Sequence, residues 1–524
     1  MEYTDVKRNI LRNSISNYVR IVVAMGIGLV TFRLLYQGLS DEDFGFWALL
    51  WSLFGYGVLM DFGMGFSAQK RTAELSAKGD WETLSQVIST IFFMYLGIAL
   101  LIFGIGWFGQ DYIIRIFKVS PENVGRFKLI LVIFFGGVGL NFPFGIFPEI
   151  LRGQQRMVLC NYIIVFFRIL NLALLWAALN YGWGLLWIFA AALFCTTAPD
   201  MLSAVFALRG MPKVRLRPGN FRWAMVVETL SFSLITYVIT MTNLLLAKSD
   251  QFVLSVTLPV AMIAVYQAGA KVAEIYQMFT KQLQDTLSPA AAHLHAKGDS
   301  GAIRDLLRNM TRLSVMVGTP LYLLCAFYLR ELISLLTGDA VPARESVWAG
   351  QIILLWYYTS VITHSVSKQI FVVTGHHMRL FWLGMAEAGL NVALSVGLVL
   401  YLKSIIGVCF GSLIPSVLFG WFFLWRMAAR EVGVGCFVLI RETLLPVWIG
   451  CLPMLGVLAF SQVGWHWSAR PHFLYVAGES CVALAIAFGG LWWSGMRDGE
   501  RQKFRDRFNK FRKARRKPAA SARP

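Results

Sequence analysis

The sequence predicts an all-α polytopic membrane protein of about fourteen transmembrane helices, arranged as two six-helix bundles in a parallel repeat plus two extra C-terminal helices. Three observations predict it. Apolar runs long enough to cross a bilayer recur from Ser14 to Trp493. Of 524 residues, 57% are hydrophobic and 15% charged, and the mean hydropathy is +0.60; a soluble domain carries about a quarter charged residues. Short motifs of the first part of the chain also return in the same order further on.

A helix needs about 20 apolar residues to cross the hydrocarbon core. Such runs lie near 14–36, 44–66, 87–109, 127–150, 158–181 and 184–208. A second set lies near 224–247, 252–279, 310–336, 347–373, 380–402 and 405–426, and two more near 444–463 and 473–494. The first run comes after a polar, basic stretch and is too long for a signal-peptide h-region, so it reads as a retained anchor. The run 224–247 is the least apolar, with Ser, Thr and Asn at many positions. This divides the chain into an N-lobe (1–208), a C-lobe (209–430), an added helix pair (431–494) and a basic tail (495–524).

Charge orients the runs. There are 48 Lys and Arg against 29 Asp and Glu, a net charge of +19. With the N-terminus inside, the clusters Lys70, Arg71 and Lys78, and Arg209, Lys213, Arg215, Arg217 and Arg222, fall on the cytoplasmic side, whereas the opposite loop 37–43 has no Lys or Arg. This is the positive-inside pattern. It predicts a multi-pass protein of the bacterial inner (plasma) membrane with both termini cytoplasmic, and it accounts for the net charge without nucleic acid as a partner. In the tail, Phe504, Phe508 and Phe511 recur at i, i+4 and i+7 among Lys and Arg. That spacing describes either a basic amphipathic helix on anionic headgroups or a solvated tail that fixes topology. The seven cysteines form no CxxC pair and the seven histidines show no metal-ligand spacing, so no disulfide framework and no metal site are expected.

The repeat rests on three matches. Residues 73–80 read AELSAKGD and residues 292–299 read AHLHAKGD; Leu170-Asn171-Leu172-Ala173-Leu174 returns as Leu390-Asn391-Val392-Ala393-Leu394; and Gly153-Gln154-Gln155 aligns with Gly375-His376-His377. The members of each pair are separated by nearly the same length of chain, enough for six spans. An even number gives both halves the same orientation, with the substrate path between them, an arrangement of alternating-access transporters.

Several segments then resemble a known family. Phe44-Gly45-Phe46-Trp47, with Leu59-Met60-Asp61-Phe62-Gly63-Met64-Gly65, resembles the second helix of Wzx-type polysaccharide flippases of the MOP superfamily. Lys248-Ser249-Asp250-Gln251 resembles the family's turn between helices 7 and 8. Val265-Tyr266-Gln267-Ala268-Gly269-Ala270-Lys271 resembles the family too, and Ser288-Pro289-Ala290 resembles the end of its helix 8. The resemblance covers roughly residues 8–430. It implies two six-helix bundles in a V around a central cavity, and no enzymatic activity. The ligand it implies is an undecaprenyl-linked oligosaccharide, with membrane lipids as surroundings and a polysaccharide polymerase and co-polymerase as candidate protein partners.

Ionisable residues inside spans cost about 2.5–3.5 kcal/mol or more at the bilayer centre, so those present are the functional candidates. A lipid pyrophosphate is an anion and calls for Arg or Lys. The cationic candidates are Arg20, Arg168, Lys271, Arg33 and Lys368. Arg168, Arg20 and Lys271 lie deepest; Arg33 and Lys368 lie near span ends, where their stems reach the interface. The carboxylates are Asp61, Glu274, Glu387 and Asp250, with coupling or structural roles. Lys271 and Glu274, at i, i+3, share a helix face and can pair; Asp61, beside glycines, can cap a helix or turn. No cofactor is called for, and the coupling ion the sequence admits is H+ or Na+ at a carboxylate such as Glu274 or Asp61. A MATE-like cation or drug antiporter and a lipid II flippase stay open as alternatives. A membrane glycan polymerase or ligase fits less well, because no long external loop or catalytic constellation is present.

Overall fold

In a computed structural model of the chain, the residues described are 3–57, 61–117, 119–227, 241, 249–285, 300–338, 343–373, 376–464, 473–497 and 499–502. They are helical throughout, with short connections and no strand. Nine helices among the described residues are long and apolar enough to cross a membrane, and Val22–Gly38 is a shorter apolar stretch.

The chain divides into two compact units. The first holds Met1–Ala268, Leu336–Gly338 and Phe381–Ser412; the second holds Gly269–Leu335, Asp339–Leu380 and Leu413–Pro524. In the first unit, α1 (Tyr3–Gly38), α2 (Asp41–Tyr56), α3 (Met64–Lys78), α4 (Trp81–Ile116), α5 (Val124–Gly153), α6 (Met157–Asn180) and α7 (Gly184–Arg209) come in order. The tightest packing is of α4 and α7 on α5, and of α1 on α6. Ile88, Ile91, Ile146, Phe147, Ile150 and Leu151 form its interior beside Met64 and Ala68 of α3. Gly153 lets α5 approach α3: a Cβ there would run into the Gln69 carbonyl and Thr72. On α4 the outward side is apolar, with Phe108 86% and Tyr112 72% exposed, which is the surface a lipid solvent requires.

After residues 249–257, which are helical, come α8 (Ala261–Asp285), α9 (Ser300–Phe327), α10 (Leu329–Thr337), α11 (Arg344–Thr363), α12 (Ser365–Val373), α13 (His377–Leu402), α14 (Ile406–Val417) and α15 (Trp425–Glu431). A π-helical stretch, Leu418–Leu424, makes α14 and α15 continuous. Short α16 (Cys436–Thr443) leads into α17 (Leu445–Gly464), and α18 (Phe473–Gly490) ends in a second π-helical stretch, Leu491–Gly495. In the second unit, Tyr328, Met454, Leu458, Ala483 and Ala487 share a core, and α17 meets α18 at Gly450 and Gly490, each of which fills the space a Cβ on the other would need.

The repeat has structural counterparts. The first copy, AELSAKGD, is a helix end followed by a helix start: Gly79, at φ +73, closes α3, and Asp80 accepts from the Thr83 N–H at 3.0 Å to open α4. That bond holds the exposed Asp80 carboxyl below the usual carboxylate range. The second copy lies outside the described residues. Arg156 N–H donates to the Leu151 carbonyl at 2.9 Å before α6, and His376 N–H donates to the Phe371 carbonyl at 2.9 Å before α13. The LNLAL and LNVAL segments lie inside α6 and α13.

Four expected runs are not single helices. The run 44–66 is interrupted between Tyr56 and Met64, where Phe62 and Gly63 have φ of 49 and 73. The run 252–279 breaks at Pro259, which cannot donate to the preceding turn. The runs 310–336 and 347–373 break at Tyr328 and His364. Lys248-Ser249-Asp250-Gln251, expected as a turn, is corrected: Ser249, Asp250 and Gln251 are helical and buried. The apolar character that buries them continues from Phe252 to Leu254, so no turn residue interrupts the helix. Most of the expected run 224–247, with Glu228, as well as Lys248, Ser288-Pro289-Ala290 and the tail from 503 onward, lie outside the described residues.

Candidate functional site

The first unit brings two of the cationic candidates together. Asn161 of α6 donates from Nδ2 to the Ser16 hydroxyl of α1 at 3.0 Å, and both residues are buried. Arg20 comes four residues after Ser16 and Arg168 seven after Asn161, so each stands on the face of its helix that carries the bond. A rise of about 1.5 Å per residue sets them roughly 6 and 10 Å further along. Arg20 is within electrostatic reach of Arg168. Arg168, at the middle of the 24-residue α6, is exposed, yet it does not share the lipid stripe. Tyr162, Phe166, Ile169 and Trp176 make that stripe, all over half exposed, and at about 100° per residue Arg168 stands roughly 120° around the helix from it. Among the described residues Arg168 has no hydrogen bond or ion pair.

The other cations are placed separately. Arg33 is exposed on α1, and Lys368 is half-buried on α12 in the second unit. Lys271, also in the second unit, donates to Glu274 at 3.0 Å, the same-helix ion pair their spacing allows.

Two polar networks lie inside the first unit. In one, Asp250 accepts from the Tyr266 hydroxyl and from the Ser412 hydroxyl, each at 2.8 Å. Asn391 donates to Ser412 at 2.9 Å and accepts from Ser249 at 3.2 Å. All five residues are buried, and no basic group is among them. The buried Ser395 hydroxyl, one turn on from Asn391, has no partner among the described residues. Glu387, one turn before Asn391 on α13, is also buried. In the other network, Tyr95 of α4 donates to the Asp61 carboxylate, which also accepts from the Gly65 N–H at 3.3 Å as α3 begins. Glu149 pairs with Arg152 on α5, and Asp200 of α7 accepts from Asn141 at 3.0 Å.

Sequence reasoning gave Asp61 as a capping candidate, and that is its geometry. It did not give Tyr95, Glu149, Arg152 or Glu479. Glu479, in α18, accepts from Tyr328 at 2.8 Å and from Ser461 at 3.1 Å. The test applied to the other spans, a carboxylate within an apolar run, would have found Glu149 and Glu479; Tyr95 carries no sequence signal beyond being aromatic.

Known proteins share both the sequence pattern and the fold. The model of a family described as polysaccharide biosynthesis protein matches residues 10–295. The fold resembles lipid II flippase MurJ in an inward closed conformation, at 14% identity and a TM-score of 0.70, covering 91% of this chain and 97% of that one. It also resembles an inward-facing multidrug resistance MATE transporter of the MOP superfamily, at 14% identity and a TM-score of 0.61, covering 79% and 98%. The outward-facing conformation of such a MATE transporter gives 14% identity and a TM-score of 0.55, covering 82% and 96%. The curated proteins give no match.

Proposed function

The chain belongs to the polysaccharide biosynthesis protein family and has the fold of MOP-superfamily transporters, and from that premise we propose that it is a membrane flippase that translocates a polyprenyl-pyrophosphate-linked oligosaccharide from the cytoplasmic to the outer leaflet, by alternating access, for surface polysaccharide synthesis. The observation that carries the proposal is Arg168: a cation at mid-helix, off the lipid stripe, making no protein bond among the described residues, with Arg20 within electrostatic reach of it. Arginine at such a point suits a diphosphate, which it meets through paired N–H donors. A transporter of organic cations would repel its cargo there. The solved lipid II flippase also accounts for more of this chain than the MATE transporters do.

In this mechanism the diphosphate enters beside Arg168 and Arg20 of the first unit, while the polyprenyl chain stays in lipid. The lobes 1–208 and 209–430 rock to open the cavity on the other side. With the basic loops cytoplasmic in an inner membrane, an inside-negative potential assists outward movement of the anion by about 2.3 kcal/mol per charge per 100 mV. The carrier resets by binding H+ or Na+ at a carboxylate; Asp250, buried with only hydroxyl partners, is the strongest candidate among Asp250, Asp61, Glu274 and Glu387. The polysaccharide polymerase and co-polymerase would receive the product.

Deleting the gene and adding back wild type, Arg168→Ala or Arg168→Lys tests this. Loss of surface glycan is expected, with the lipid-linked unit trapped on the cytoplasmic face, rescue by wild type and partial rescue by the lysine. Unchanged glycan with new sensitivity to cationic drugs would assign the chain to cation export instead.

A further inference from the structure

On α9, Arg304, Arg308 and Arg312 recur every four residues and so line one face. Each grips a different segment of the second unit. Arg304 Nε donates to the Val432 carbonyl at 3.0 Å, Arg308 Nε meets Glu442 of α16 at 3.2 Å, and Arg312 pairs with Glu500 beyond the last helix. Arg497 donates to Asn309 at 3.3 Å and Arg501 to the Trp493 carbonyl. These bonds gather the start of the apolar span Arg304–Phe327, the end of Ile406–Glu431, the start of Cys436–Ser461 and the end of Tyr475–Gly495. Four span ends held together stand at one membrane surface.

The outward side of this assembly mixes aromatic and basic groups. Phe437 is 76% and Trp493 84% exposed, as interfacial aromatics are. Arg426, Arg430 and Arg441 are exposed and make no ion pair among the described residues. The carboxylates beside them are engaged elsewhere: Glu431 with His376, Glu442 with Arg308 and Glu500 with Arg312. The chain then continues into residues 503–524, rich in Lys and Arg with Asp506 as their one acid.

We infer that this band, Phe437 and Trp493 with Arg426, Arg430 and Arg441, is a docking surface for the headgroups of anionic phospholipids. The aromatic rings fix its depth at the headgroup level and the guanidiniums take the phosphates.

The test is native mass spectrometry of the full chain in detergent with phosphatidylglycerol and phosphatidylcholine of matched acyl chains. The expected result is retention of phosphatidylglycerol in roughly tenfold excess or more, the scale set by a few cations near an anionic surface. The triple variant Arg426→Gln, Arg430→Gln, Arg441→Gln is expected to lose the preference, and the corresponding triple lysine variant to keep it, which separates lost charge from lost folding. Arg168→Gln is expected to leave it unchanged, so the substrate site and this surface are read independently. Truncation after Gln502 should weaken the preference without abolishing it. Equal retention of the two lipids, a preference that survives the glutamine variant, or its complete loss on truncation alone overturns the assignment.

Discussion

Arg168 and Asp250 show opposite ways of keeping a charge inside a membrane helix. Arg168 makes no protein bond among the described residues and faces away from the aromatic lipid stripe. Its removal is therefore expected to abolish transport while changing unfolding free energy by within about 0.5 kcal/mol, as substitutions that break no contact do; transport and thermal denaturation of Arg168→Gln check both halves. Asp250 is satisfied through Tyr266 and Ser412. Asp250→Ala leaves those hydroxyls buried without their acceptor and is expected to destabilise the protein by about 1–3 kcal/mol. Asp250→Asn, which keeps the shape, is expected to preserve folding and flatten the dependence of transport on H+ or Na+. Denaturation and ion-gradient transport measurements distinguish the two. The sequence disclosed Arg168 because a cation within an apolar run stands out on hydropathy alone. It disclosed Asp250 as a residue, but the family resemblance of Lys248-Ser249-Asp250-Gln251 placed it in a turn, and the buried partners that hold this segment, Asn391 and Ser412, lie far along the chain.

Helix boundaries were legible from local chemistry wherever a cap was present. The AKGD of residues 77–80 contains the left-handed glycine and the capping aspartate that end α3 and begin α4. The breaks at Tyr328 and His364 have no comparable local signal, since tertiary packing rather than a Gly or Pro sets them. Helix pairing was hidden as well, because small residues matter only against a known neighbour. Gly490 is such a case: a larger side chain would collide with the Gly450 carbonyl. Gly490→Val is expected to separate α17 from α18 and to destabilise the protein by about 1–3 kcal/mol, measurable as a lower Tm, while the reverse-size control Val482→Ala, on the exposed side of α18, changes little.

At the scale of the molecule, composition and charge were enough to give an all-helical membrane protein, because lipid leaves few other solutions, whereas the superfamily fold came from the family resemblance of short motifs. The charge asymmetry also fixes an expected orientation. Alkaline phosphatase fused after Lys78 or Arg217 is expected to be inactive, and fused after Ser120 active; the inverse pattern would turn the chain over and reverse the direction of transport proposed. The cargo proposed here was less legible. It depends on which side chains from distant helices meet, and the Arg20–Arg168 pairing becomes visible only once Ser16 and Asn161 bring α1 and α6 together.

The most direct measurement is the sidedness of a labelled polyprenyl-pyrophosphate oligosaccharide in proteoliposomes holding the purified chain, read with an impermeant glycan-modifying reagent. Wild type is expected to move label between leaflets far faster than empty vesicles, Arg168→Lys more slowly, and Arg168→Gln at the background rate. Equal movement by wild type and Arg168→Gln, or none above empty vesicles by an intact wild-type protein, would contradict the account.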